Sequence, residues 1–163
     1  MAFDLQRSVF PVTGVDAGKS AFGTAFVFHR ACKPDRLYLL TCAHVVRDIE
    51  RSGRVQIYPY LTRVIAITAP DDTDDLAIIE VSNSIPPEIP LTAAQQEEAD
   101  AVFHRAEPLV PANFGSAGMP CIVGGYYAYI SRKEYKLKTL PGTLAGETAV
   151  KGEKQPHATR TWD

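Results

Sequence analysis

Between residues 22 and 81 the chain repeats short apolar runs separated by turn-forming breaks, with no long helix between them and only a short helical turn expected to start at His44. The runs are "FGTAFVFH" (22–29), "RLYLLTC" (36–42), "RVQIYPY" (54–60), "TRVIAIT" (62–68) and "DLAIIEV" (75–81). Each is rich in aromatic and β-branched residues and has the length of a half-buried strand. The breaks carry Pro34 with Asp35, and an acidic turn over residues 71–75. Five such strands without long intervening helices argue against a parallel α/β sheet. They predict a small antiparallel β-barrel over residues from about 8 to 82, an all-β class.

The rhythm breaks between Pro86 and Pro120, where six prolines flank a stretch of good helix formers. Thr92, with Gln95 three residues on, is a capping box, so residues 92–105 read as a helix inside a long connection. Beyond it "CIVGGYYAYI" (121–130) and "EYKLKTL" (134–140) look like the two strands of a hairpin. Gly124 and Gly125 read as a bulge that lets backbone approach closely. The tyrosines at 126, 127 and 129 read as packing residues, and the tail "GEKQPHATRTWD" reads as loosely ordered or cut short. The expected organisation is a first barrel over 1–85, a connection over 86–120, and an incomplete second barrel over 121–163.

Composition narrows the function classes. The chain is 45% hydrophobic and 22% charged, an ordinary globular balance. No apolar run approaches the roughly 20 residues that span a bilayer. Met1 is followed by an early acid and no extended apolar stretch, so a secretory signal is not expected. A net charge of −2 with both signs scattered gives no electrostatic reason to expect nucleic acid or an anionic membrane as partner. The three cysteines, Cys32, Cys42 and Cys121, show neither disulfide-framework nor metal-site spacing, and a cytoplasmic setting is the simplest. Cys42 reads as a small buried hydrophobe. No cofactor and no metal is expected.

Two residues carry chemistry. His44 follows directly on the strand ending "LLTCA", so a titratable imidazole sits at the tip of a rigid element. Asp75 lies 31 residues later, where an acidic turn runs into "LAIIEV". Asp71, Asp72 and Asp74 suit a solvated turn, but Asp75 at the strand lip is placed to accept a hydrogen bond from an imidazole. The remaining histidines have plainer readings: His29 on a strand exterior, His104 in the connecting helix, His157 in the polar tail.

These elements together resemble the N-terminal half of a trypsin-like serine protease of the chymotrypsin fold. Gly23-Thr24-Ala25-Phe26 is similar to the family's early strand, and Thr41-Cys42-Ala43-His44 to its T-A-A-H element, with Cys42 in place of an alanine. Asp75-Leu76-Ala77-Ile78-Ile79 is similar to the strand bearing the triad aspartate, and His before Asp is the chymotrypsin order. The likeness covers roughly residues 20–82, and more faintly 88–140. It implies a serine endopeptidase acting on protein or peptide substrate, with His44 as general base and Asp75 orienting it. It also implies a fold of two barrels, the first complete here and the second not.

The nucleophile is the missing part. The family's serine follows its aspartate by about 90 residues, which points to about residue 140–170 here. No serine or cysteine follows Ser131. Three readings stay open. The serine falls beyond residue 163, the chain being one piece of a longer enzyme and inactive alone. Ser116, in "NFGSAGMP", is the nucleophile despite standing in the connection. Or the chain is a catalytically inactive, protease-like binding or assembly module with a regulatory or assembly partner.

Overall fold

The computed structural model describes residues 4–15, 22–51, 53–110, 117–129, 134–144, 147–150 and 159–162. Its main sheet has six antiparallel strands: β1 (Val9–Val15), β2 (Phe22–Cys32), β3 (Asp35–Thr41), β4 (Arg54–Gln56), β5 (Leu61–Ile67) and β6 (Ala77–Ser82). They are ordered β4-β1-β2-β3-β6-β5. The two end strands, β4 and β5, are joined by the turn at residues 57–60, where Ile57 bridges Tyr60, so the sheet curls into a nearly closed barrel.

Strand alternation supplies the core. Val12, Ala25, Val27, Leu37, Leu39, Ile79 and Val81 point inward, with polar or half-buried residues between them. This is the period-2 pattern of a one-sided sheet. Two helices add to the same core: α1 (Ala43–Glu50) through Ala43, Val46 and Ile49, and α2 (Ala93–Arg105) through Ala99 and Phe103.

Three features differ from the sequence expectations. The barrel has a sixth strand, β1, whose Pro11 and Gly14 disguise it. β1 pairs with β4 only from Thr13 onward, so Pro11 lies where the strand has one neighbour and a missing N–H is tolerated. The expected strand over 54–60 is shorter, because residues 57–60 turn back through a cis Tyr58–Pro59 peptide. Finally, Thr159–Trp162, in the stretch expected to be loosely ordered, forms strand β10 and pairs with β9 (Glu147–Val150).

Helix α2 forms as its capping box predicts. Thr92 N–H donates to Gln95 Oε1 at 2.9 Å, and Gln95 N–H donates to Thr92 Oγ1 at 3.3 Å. Its docking was not legible in the sequence. The buried Tyr60 hydroxyl donates to the Ala99 carbonyl at 2.7 Å, and that burial pushes the Tyr60 phenol up to about 12. At the other end Arg30 lies over the Phe103 ring at 5.5 Å and donates to the carbonyls of Phe103, His104 and Ala106. A cation on the last free carbonyls is what a helix C-terminus favours, and Asp35 holds the guanidinium in place from 2.7 Å.

The hairpin of β7 (Pro120–Tyr129) and β8 (Glu134–Thr143) runs in unbroken register, so the two glycines are not a bulge. They mark close approach instead. A Cβ on Gly124 would come within 3.0 Å of the Leu5 side chain. Tyr126 N–H donates to Thr24 Oγ1 at 2.7 Å, pinning the hairpin to β2. Among the described residues β7–β8 and β9–β10 are two separate two-stranded sheets.

Candidate active site

Strand β3 ends at Thr41, whose buried hydroxyl donates to the Thr24 carbonyl at 2.8 Å and locks the strand end to β2. Cys42 is the N-cap of α1, and His44 is the second residue of that helix. The helix rests directly on β2, because a Cβ at Gly23 would stand only 2.6 Å from Val45 Cγ1. Gly23 is therefore the residue that admits the helix carrying His44.

Asp75 sits two residues before β6 and meets the helix N-terminus three times. Its backbone carbonyl accepts from Ala43 N–H at 3.2 Å. Its Oδ1 accepts from His44 N–H at 2.8 Å, and its Oδ2 makes a short contact with His44 Nδ1. Cys42 makes no capping bond with its own side chain, so Asp75 caps the helix from outside. A carboxylate is the group a helix N-terminus favours. One aspartate thus both caps the helix and aligns the imidazole. The capping role has no sequence signal, because cap and helix are 31 residues apart.

Arg47, one turn further along α1, fixes the segment that delivers the aspartate. Its guanidinium donates to the Thr68 carbonyl. Thr68 N–H donates to the Leu76 carbonyl at 2.9 Å, and Leu76 N–H donates to Thr68 Oγ1 at 3.1 Å.

The electrostatics follow from this packing. Desolvation pushes Asp75 upward, but the His44 ring bond, the His44 backbone N–H and the nearby His44 and Arg47 outweigh it. The carboxyl titrates below its ordinary value and is anionic at neutral pH. A carboxylate only accepts, so His44 Nδ1 donates and carries the hydrogen in the neutral ring. The Nε2 lone pair is then left to face away from Asp75. The Asp75 side chain is 18% exposed and the His44 side chain 60% exposed, so the acid is sheltered while the imidazole reaches solvent.

Cys42 corrects an expectation. It is exposed rather than a buried hydrophobe. Partial desolvation by the surrounding chain and the Asp75 charge push its thiol up. Cys42 Sγ, an imidazole nitrogen of His44 and a carboxylate oxygen of Asp75 lie within 4.8 Å of one another. The other candidates lie apart from this cluster. His29 is exposed on β2 and packs on Tyr38 with ring centroids 5.6 Å apart. His104 bonds the Asp100 carbonyl at 2.7 Å. Ser116 and His157 lie outside the described residues.

A cavity of about 540 Å³ opens between β1, the 57–60 turn, α2 and the β7–β8 hairpin, lined by Phe10, Tyr58, Tyr60, Ala99, Tyr126 and Leu137 among others. Cys42, His44 and Asp75 do not line it. No helix among the described residues is long and apolar enough to cross a membrane.

No protein-family model, curated protein or solved structure matches the chain.

Proposed function

We propose that the chain carries the base and the orienting acid of a serine endopeptidase of the trypsin-like kind, with His44 as general base and Asp75 as its partner. The observation that supports this most is the double grip of the Asp75 carboxylate on the backbone and the ring of His44. Serine is a poor nucleophile by itself and needs a base within hydrogen-bond reach. An imidazole whose Nδ1 is held by a sheltered carboxylate offers Nε2 as that base. The same carboxylate then stabilises the imidazolium formed when the proton arrives. The barrel-like sheet, with the base at one strand end and the acid beside another, is the arrangement the chymotrypsin fold would require of its first barrel. In this reading the β7–β8 hairpin belongs to the second.

The 163 residues contain no G-x-S-G sequence. The proposal therefore assigns the nucleophile to sequence other than these residues, and it expects this chain alone to be inactive. The test compares this chain with any longer natural form in a peptide-library digest and with a fluorophosphonate probe. Labelling of the longer form, lost in His44→Ala, supports the reading. Labelling of Ser116 in the short chain would move the nucleophile there. A longer form without labelling or cleavage would favour the inactive binding or assembly module instead.

A further inference from the structure

The protease reading uses two of the three donor groups clustered at the α1 N-terminus and leaves the third, Cys42, without a task. We infer that Cys42, His44 and Asp75 form a binding site for a single zinc-class divalent cation, with the thiolate, imidazole Nδ1 and carboxylate as its three protein ligands.

The donor set is the first argument. One thiolate sulfur, one imidazole nitrogen and one carboxylate oxygen are the ligand types zinc takes, and three protein ligands with an open fourth position is a usual zinc arrangement. Geometry is the second. Zinc–ligand lengths of about 2.0–2.3 Å put the donors of a tetrahedral site roughly 3.3–3.8 Å apart. The three donors already lie within 4.8 Å of one another. Side-chain rotation closes that gap: His44 and Asp75 part to admit the ion, and Cys42 swings in. Cys42 makes no capping bond that metal binding would break, and the site opens to solvent through the exposed Cys42 and His44.

Charge is the third argument. The helix N-terminus and Arg47 oppose a cation here. Two anionic ligands, thiolate and carboxylate, balance the two positive charges of the ion, so the metal centre itself carries no net charge beside them. Asp75 Oδ1 keeps its bond to His44 N–H, so occupation leaves the helix capped. The proton inventory is simple. Binding sends the thiol proton to solvent and moves the imidazole hydrogen from Nδ1 to Nε2. An imidazole with hydrogen on Nε2 and metal on Nδ1 has no lone pair for a serine. If the protease reading holds, the cation is therefore a reversible inhibitor of that site. The binding itself does not depend on that reading.

The test is a titration of the reduced 163-residue chain with Co²⁺ and with Zn²⁺, so its outcome is independent of whether the chain belongs to a protease. One saturable equivalent of Co²⁺ with a thiolate-to-metal charge-transfer band and a four-coordinate visible spectrum is expected. Cys42→Ser should lose the band and bind Zn²⁺ at least about tenfold more weakly. Serine is a better N-cap than cysteine, so this variant should fold. His44→Ala should weaken binding likewise, whereas Cys32→Ser should bind as the parent does. A parent complex without the charge-transfer band overturns the inference. So does a band that survives Cys42→Ser or disappears in Cys32→Ser.

Discussion

Replacing Asp75 with alanine tests the central geometry through stability, without needing an active enzyme. The substitution leaves His44 N–H at the helix start without its acceptor, while the Ala43 bond to the Asp75 backbone remains. Loss of an N-cap side chain costs about 0.5–2 kcal/mol. Loss of a carboxylate from the helix N-terminus costs about 0.3–1 kcal/mol more. The ion pair adds little, about 0–1 kcal/mol, because His44 is largely exposed. The expected total is about 2 kcal/mol, a fall in Tm of roughly 4–8 °C for a domain of this size. Asp75→Asn keeps an oxygen for His44 N–H and loses only charge and ring alignment, so it should fall about half as far. The two variants and the parent would be melted by circular dichroism at neutral pH and in acid. Asp75 titrates below its ordinary value in the folded chain. Its contribution is therefore complete above the unfolded carboxyl value of about 4 and is lost as pH falls through the folded value. The parent's advantage over Asp75→Asn should narrow in that acid window. An alanine variant whose Tm falls by less than about 1 °C, the signature of a surface change, would refute the assignment of Asp75 as cap and partner.

Other outcomes follow from the packing. Gly23→Ala places a methyl 2.6 Å from Val45 Cγ1, so overpacking should cost about 1–3 kcal/mol. The same change should shift the His44 ring resonances in a ¹H–¹⁵N spectrum, and unchanged resonances would dissociate Gly23 from the site. Arg47→Ala removes the donor to the Thr68 carbonyl. Amide exchange over residues 68–76 should then speed up, whereas exchange in α2 stays as it was. Phe103→Ala empties a fully buried site beneath Arg30 and Tyr60. It should cost about 3–5 kcal/mol in a urea melt, and a cost under about 1 kcal/mol would place α2 outside the cooperative core.

Local chemistry is what the sequence carried plainly. The strands of the barrel declared themselves through period-2 apolar runs such as "RLYLLTC". Helix α2 declared itself through Thr92 and Gln95, because strand alternation and capping are written within a few residues. His44 and Asp75 were visible for the same reason, each standing at the end of an apolar run. What the sequence left unreadable depends on residues far apart in the chain. β1 was obscured by Pro11 and Gly14, which are tolerated only because of which neighbours β1 has. The triple contact of Asp75 with the α1 N-terminus, the Arg30 cap on α2, and the approach of Cys42 to Asp75 each join segments 31 or more residues apart. Burial is likewise a tertiary property: Cys42 has an apolar residue's composition signal, yet the turn from β3 into α1 carries it to the surface. Propensity and periodicity therefore revealed five of the six barrel strands, helix α2 and the two residues that stand at strand tips. Only the closing of the sheet decided which tips meet.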